Sequence, residues 1–484
     1  MLTANGRLLI AHHMWRLFYN IVLLLVSPVI LAVLLAKQRC RRGLLQRLGL
    51  QDCLSGLVGL SGLSRRPDRP NELDRRDRQD GPDRPVIWVH AVSLGEVVAV
   101  TPLVQELHRR HPEHRIVVST VTETGREAVE QRLAAVAAHC YAPLDFPWVV
   151  SRFIERLQPC LYVFVETELW PNLLWHLRQR GVPTALVNGR LSTRSFTRQQ
   201  WAPVRSFYRT MLRGLSLCLM QSDRDVDRII ALGAEASRVR RTGNIKFDQP
   251  IPAVTEGGVT RARLGLQEKE QLLVAGSTHS GEEEMLVECY RVLVTRYPSA
   301  VLLLAPRHIE RAESVEALVR ASGLAVQRGS TIQQASGLKS AGPRVIVLDS
   351  RGELAAIYRE AVVAFVGGTL VPIGGHNLLE PAQWAKPVLF GPYTDHCAEI
   401  ADFLIQAGGG RRVLQAEDLT QQVVALFSDD EGRKRMGQSA RQVVEQNQGA
   451  LQRTLEAIDQ LLIPQQGLGG SLRTDRSLPL MAGR

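Results

Sequence analysis

The sequence predicts an α/β protein made of two Rossmann-like domains facing a central cleft, preceded by an N-terminal membrane-anchor helix. Two observations carry the fold. Apolar, β-branched runs alternate with helical patterns through most of the 484 residues, the order that gives a parallel sheet covered on both faces. The alternation comes as two series, each long enough for a Rossmann-like domain. A third observation sets the N-terminus apart: Leu17–Ala36 carries no charge over 20 residues, enough to cross about 30 Å of hydrocarbon.

In order along the chain, the apolar stretch is followed at once by KQRCRR, a flank of the kind found on the cytoplasmic side, with no small-residue cleavage site between. Pro28 leaves a tilted or monotopic anchor as the alternative to a straight span. Residues 1–60 therefore read as anchor and basic flank. Residues 61–85 are rich in Arg, Asp and Pro and have little to bury, so they read as a disordered linker. From Val86 the strands PVIWVHA, RIVVST, CLYVFVE, PTALVNG and LCLMQS are expected, with helices over Val97–Arg110, GREAVEQRLA, PNLLWHLRQR and DVDRIIALG. The second series is QLLVAGS, AVLLLAPR, RVIVLDS, VVAFVGG and KPVLFG. The two meet near TGNIKFDQPIP, which predicts domains over 86–245 and 246–463 and a disordered tail over 464–484.

Charge and cysteines exclude some functions. Of the net +11, seven charges lie in residues 1–50 and two in 464–484, leaving about +2 for 86–463. A groove that tracks phosphates needs a concentrated basic face, so no nucleic acid is expected as a partner. The seven cysteines are scattered singly without a CxxC pair, which points to a reducing compartment and no metal site.

Ligands of such sheets sit beyond the carboxyl ends of the strands, and the unusual residues fall there. In VSLGE, Ser93 and Glu96 have the spacing of a capping box, and Glu96 is equally placed to be a general base. VETELWPN puts Glu166 and Glu168 at a strand end, with Pro171 suited to the next helix's first turn. GSTHSGEEE, with Ser277, is either a helix start or part of a ligand loop. Pro306 and Arg307 end a strand where an arginine can grip a phosphate, or simply be solvated. VGGTLVPIGGHNLLEPA, with Gly374 and Gly375, is a strand-to-helix connection whose glycines permit positive φ and close approach of a phosphate; Asn377 is alternatively its helix cap, and Glu380 stands one turn on. The single histidines His90 and His376 read as core or loop residues.

The strings HAVSLGE, ETELWPN, NGRLS, GNIKFD, GSTHSGEEE, PRHIER, VGGTLVPIGGHNLLEPA and NQGALQR, in this order, resemble the 3-deoxy-D-manno-octulosonic acid (Kdo) transferases. The resemblance implies the GT-B fold and inverting transfer of Kdo from CMP-Kdo to a lipid A precursor of the lipid IVA type. It also implies an enzyme without cofactor or metal, at the cytoplasmic face of the inner membrane. By position it implies Glu96 as general base, and Glu166 and Lys246 as transition-state stabilisers. Pro306, Arg307, Arg351, Gly352, Glu353, Asn377, Leu378, Leu379 and Glu380 fall on its CMP-binding segments, and Ser277, Gly374 and Gly375 lie beside them. A sugar-nucleotide epimerase of the same architecture and a membrane-tethered nucleotide-sugar binder remain as alternatives at this point.

Overall fold

The computed structural model describes residues 4–36, 43–51, 84–249, 261–334 and 342–462. The expected tail over 464–484, and all but the last two residues of the expected linker, lie outside the described residues. The chain divides into two compact units, Met1–Lys246 with Gly449–Arg484, and Phe247–Gln448.

The first unit holds seven parallel strands: β1 Val86–His90, β2 Arg115–Thr120, β3 Ala138–Tyr141, β4 Pro159–Val165, β5 Thr184–Gly189, β6 Leu217–Met220 and β7 Val239–Arg241. They lie in the order β3-β2-β1-β4-β5-β6-β7. Chain direction across the sheet therefore reverses between β1 and β4, the crevice where doubly wound sheets take ligands. β1 and β4 are buried along both faces except at Cys160, as their unbroken apolar runs require. Val86, Trp88 and Tyr162 pack on one side of the sheet, and Ile87, Val89, Leu161 and Val163 on the other.

The second unit repeats the plan with β8 Gln271–Thr278, β9 Ala300–Pro306, β10 Val326–Arg328, β11 Arg344–Val347, β12 Ala361–Val366, β13 Val388–Phe390 and β14 Gly410–Arg412. Their order is β10-β11-β9-β8-β12-β13-β14, which puts its reversal between β8 and β12. The chain then returns. The helix Ala450–Leu462 packs Leu455 and Ile458 among Val100, Leu103 and Val163 of the first unit, whereas the sequence assigned residues up to 463 to the second domain. β3, β7, β10 and β14 escaped the sequence reading because they are three or four residues long and, β3 apart, largely polar edge strands without an apolar run.

The N-terminal helix Ala4–Ala36, expected from sequence as an anchor, packs against the first unit. Tyr19 Oη donates to Asp145 Oδ2 at 2.9 Å, Asn20 and Asn172 exchange amide hydrogen bonds, and Trp15 donates to Ser206 at 3.1 Å beside the Phe207 ring. Further on, Arg47 is buried, lies over the Tyr141 ring and donates to the Val121 carbonyl. Trp15, Tyr19, Asn20 and Arg47 thus contribute contacts to the first unit, which the sequence, showing only apolar length, did not reveal. On the same helix Leu17, Phe18, Leu24, Leu25 and Val29 are exposed. No described helix is long and apolar enough to cross a membrane.

Burial pushes the Asp145 carboxyl up to about 7 against the hydrogen bonds from Asn172, Leu173 and Tyr19. Removing residues 1–51 takes one of those partners from a buried acid, a loss of about 1–3 kcal/mol. A chain starting at residue 52 is therefore expected to melt several degrees below the full chain. Coincident melting curves would show that these contacts contribute no stability.

Candidate functional site

In the first unit, the loops after β1 and β4 flank the reversal point, and they carry the acidic residues. Glu96 sits in the first turn of the helix Leu94–Arg110. Its Oε2 accepts the Val92 N–H at 2.8 Å and its Oε1 accepts the Ser93 hydroxyl at 3.0 Å. Ser93, although the N-cap residue, makes no side-chain cap bond. The reciprocal capping box therefore does not form; Ser93 and Val92 hold the carboxylate instead of the carboxylate and Ser93 closing the helix end between them. Burial pushes Glu96 up to about 7, Glu166 and Glu168 push the same way, and the hydrogen bonds from Val92 and Ser93 oppose them. Glu168 is itself raised by burial and by Glu166.

The sign of the Glu96 shift gives a pH prediction. A carboxyl whose folded pKa lies above its unfolded value contributes stability that is present below about 4.5 and lost as pH rises through about 7. To act as the base expected from the sequence, Glu96 must be ionised, so in that role kcat/KM should rise with pH through about 7. In Ser93→Ala, which removes a bond favouring the ionised form, that limb should move to higher pH while the plateau is retained. A limb that stays in place in Ser93→Ala would assign the titration to another group.

Glu166 and Lys246 meet, with Nζ 3.4 Å from Oε1. Glu166 holds φ 55° immediately after β4, a left-handed conformation that a non-glycine residue adopts at a cost. Asn188, at the end of β5, does the same with φ 53°. Its Oδ1 accepts the Ile245 N–H at 3.1 Å and its carbonyl accepts Gln221 Nε2 at 3.0 Å. Gln221 in turn accepts from Asn244, whose Oδ1 accepts the Lys246 N–H. Asn188, Gln221 and Asn244 thus set the turn that carries Lys246. The sequence offered only their place at strand ends. His90 is a core residue of β1, bonded through Nδ1 to Ser119 at 2.8 Å, and burial holds it down to about 4.

In the second unit the Gly-rich connection after β12 is closed by a carboxylate of its own chain. Glu282, fully buried, accepts the N–H groups of His279, Gly368, Thr369 and Leu370 at 2.8–3.0 Å. These donors form the kind of nest that binds anions, so the backbone from 368 to 370 is already occupied and not offered to a phosphate. Gly367 is required here, since a Cβ would stand 2.5 Å from the Ser277 carbonyl oxygen. Glu283 accepts from Thr278 and pairs with Arg311 at 2.8 Å. The acidic helix start is therefore largely structural.

Around that nest the predicted nucleotide residues are placed unequally. Ser277, with φ 57°, and Pro306 end the neighbouring strands β8 and β9. Arg307 is exposed, its N–H bonded to the Thr278 carbonyl. Gly374 and Gly375 hold φ 106° and 85°. Asn377 accepts the Leu379 N–H at 3.1 Å and reaches Glu380 at 3.3 Å; the N-cap of the short helix Leu379–Gln383 is Leu378 rather than Asn377, and Asn377 holds the acid. Leu378 and Leu379 have fully buried side chains in the core with Phe390 and Leu404, which leaves only their backbone for a ligand. Arg351 is exposed and pairs with Glu310 at 2.9 Å, while Glu353 accepts from Ser350 and from Arg263 at 3.0 Å. Gly352, with φ 85°, has open space at its Cβ position. His376, a core or loop residue by sequence, is hydrogen bonded to His279.

Among the described residues, His111, Glu113 and His114 form one group able to offer metal ligands. They precede β2, at the opposite end of the sheet from Glu96, and His111 is tied to Asp459 at 2.7 Å.

Residues 64–249 match the family model described as 3-deoxy-D-manno-octulosonic-acid transferase (kdotransferase). The chain is 34% identical to the 3-deoxy-D-manno-octulosonic acid transferase of Haemophilus influenzae over 92% of this chain and 98% of that one. It is 35% identical to the Bordetella pertussis protein of the same name, over 78% of this chain and 87% of that one. Among solved structures, UDP-GlcNAc 2-epimerase from Neisseria meningitidis bound to UDP-GlcNAc aligns with a TM-score of 0.54 at 12% identity, covering 78% of this chain and 100% of that one. That likeness shows the fold alone, two parallel-sheet α/β domains of the kind found in GT-B glycosyltransferases. Identity over nearly the whole of both chains decides between the epimerase and transferase readings: the protein belongs to the 3-deoxy-D-manno-octulosonic acid transferase family and is a glycosyltransferase.

Proposed function

We propose that the protein transfers Kdo from CMP-Kdo to a lipid A precursor of the lipid IVA type at the cytoplasmic face of the inner membrane, with inversion and without metal or cofactor. The observation that carries the reading is Glu96, a half-buried carboxylate fixed by two hydrogen bonds beyond β1 and poised near neutral pH. It takes the proton of the acceptor hydroxyl while that oxygen bonds to the anomeric carbon of Kdo and the bond from that carbon to the phosphate oxygen breaks, releasing CMP. Glu166 stabilises the positive charge developing on the sugar ring. Lys246 faces the negative charge of the Kdo carboxylate or the departing phosphate.

A lipid acceptor is supported by an apolar pocket of ≈ 520 Å³ lined by Trp15, Phe18, Val22, Trp201, Val204 and Phe207. The exposed apolar residues Leu24, Leu25 and Val29 supply the membrane contact. The direct test is turnover of CMP-Kdo and a tetra-acylated lipid A precursor by the purified protein, read by mass spectrometry. No Kdo-bearing product with an authentic donor would overturn the assignment.

Arg307 is the donor-side residue of largest expected effect. With its guanidinium exposed at the end of β9, Arg307→Ala should weaken CMP binding by about 1.5–3 kcal/mol, the range for hydrogen bonds to charged groups. Calorimetry showing unchanged CMP affinity would remove Arg307 from the site.

A further inference from the structure

The second unit places two histidines in direct contact at its reversal point. His279 follows β8 and His376 lies in the Gly-rich connection after β12, with their Nε2 atoms 2.8 Å apart. The rings are 7° from parallel with centroids 5.1 Å apart, the spacing of two imidazoles sharing a hydrogen edge to edge in one plane. One Nε2 must therefore donate and the other accept, and only one hydrogen fits between them. The pair has two protonation states that keep this contact: neutral, or carrying one extra proton on the Nδ1 of the donating ring. A second extra proton would need a hydrogen on both facing nitrogens and would break the contact.

The surroundings keep the pair neutral. His376 is held down to about 3, first by burial and then by Arg307, His279, His396 and His308. His279 is lowered by burial, His308, Arg311 and Arg307, with Glu283 alone opposing. Glu283 is itself paired with Arg311. An anion arriving among Arg307, His308 and His396 reverses the local field, and this pair, like the exposed imidazoles of His308 and His396 beside it, can answer with a proton.

We propose that the His279–His376 pair is a proton-loading element of the nucleotide site, taking up one proton when a phosphate monoester dianion occupies the site. This rests on the CMP reading above. It suits the reaction, because cleavage of the donor's phosphodiester leaves a monoester bearing one more negative charge. Protonation turns the shared hydrogen bond into a charge-assisted one and matches that added charge, and the proton returns to water when CMP leaves.

The test is calorimetry of CMP binding to the full chain at pH 7, where CMP's second phosphate ionisation, near pH 6, is largely complete, in buffers of low and high ionisation enthalpy. Net uptake of a fraction of a proton per CMP is expected, with none for cytidine. His376→Asn and His279→Asn should each abolish the uptake and weaken CMP about tenfold or more. A buffer-independent enthalpy, or uptake that survives in both variants, overturns the proposal while leaving the CMP reading intact. Failure to bind CMP at all overturns both. Nitrogen-15 histidine spectra of the unaltered protein give a check independent of mutation. CMP should move one coupled pair of rings toward imidazolium shifts, and rings that stay neutral in the complex refute the idea.

Discussion

Glu96→Gln is expected to fold, to bind CMP normally, and to lose transfer by a factor of about 10² to 10⁴, the usual contribution of general acid–base catalysis. The geometry makes this substitution clean. A glutamine oxygen still accepts the Val92 N–H, and its amide nitrogen still finds the Ser93 hydroxyl, so the bonds that hold Glu96 are retained in kind. Only proton uptake is removed. Because ionising Glu96 in its buried setting opposes folding above about pH 7, the variant should also be slightly more stable than the parent at pH 8. A variant that transfers Kdo at the parent's rate would shift the base to Glu166 or Glu168.

The second large effect belongs to a residue with no assigned chemistry. Glu282→Ala leaves the N–H groups of His279, Gly368, Thr369 and Leu370 without their acceptor, and the three on the Gly-rich connection are buried. Unpaired buried donors cost about 1–3 kcal/mol each, so a loss of about 4 kcal/mol or more is expected, read as a lower urea midpoint for the second unit. CMP affinity should fall with it, since the same carboxylate fixes the backbone leading to His376 and Asn377. An unchanged midpoint would show that water replaces the carboxylate without penalty.

Much of the fold was legible because β1, β4, β8 and β9 are apolar runs buried on both faces, a pattern written in residue type alone. The loops at the strand ends were legible for a related reason: Glu166 and Arg307 are charged residues directly after such runs, and Glu96 opens the helix that follows one. What stayed hidden depends on contacts distant in sequence. Glu282 reads as an ordinary acidic helix start, and three of its four partners lie more than 80 residues away. His279 and His376 each look solitary until β8 and β12 become neighbours. The docking of Tyr19 on Asp145 is equally invisible, since an apolar helix has the same composition whether it packs on lipid or on protein.

The return of the helix Ala450–Leu462 to the first unit bears on how the protein is made. The second unit is in effect an insertion between β7 and that helix, so the first unit holds both early and late parts of the chain. During synthesis, Val100 and Leu103 on the helix Leu94–Arg110 must wait for Leu455 and Ile458 to leave the ribosome before they are fully covered. The first unit, although translated first, is completed last, and for that interval it presents an apolar surface that invites chaperones.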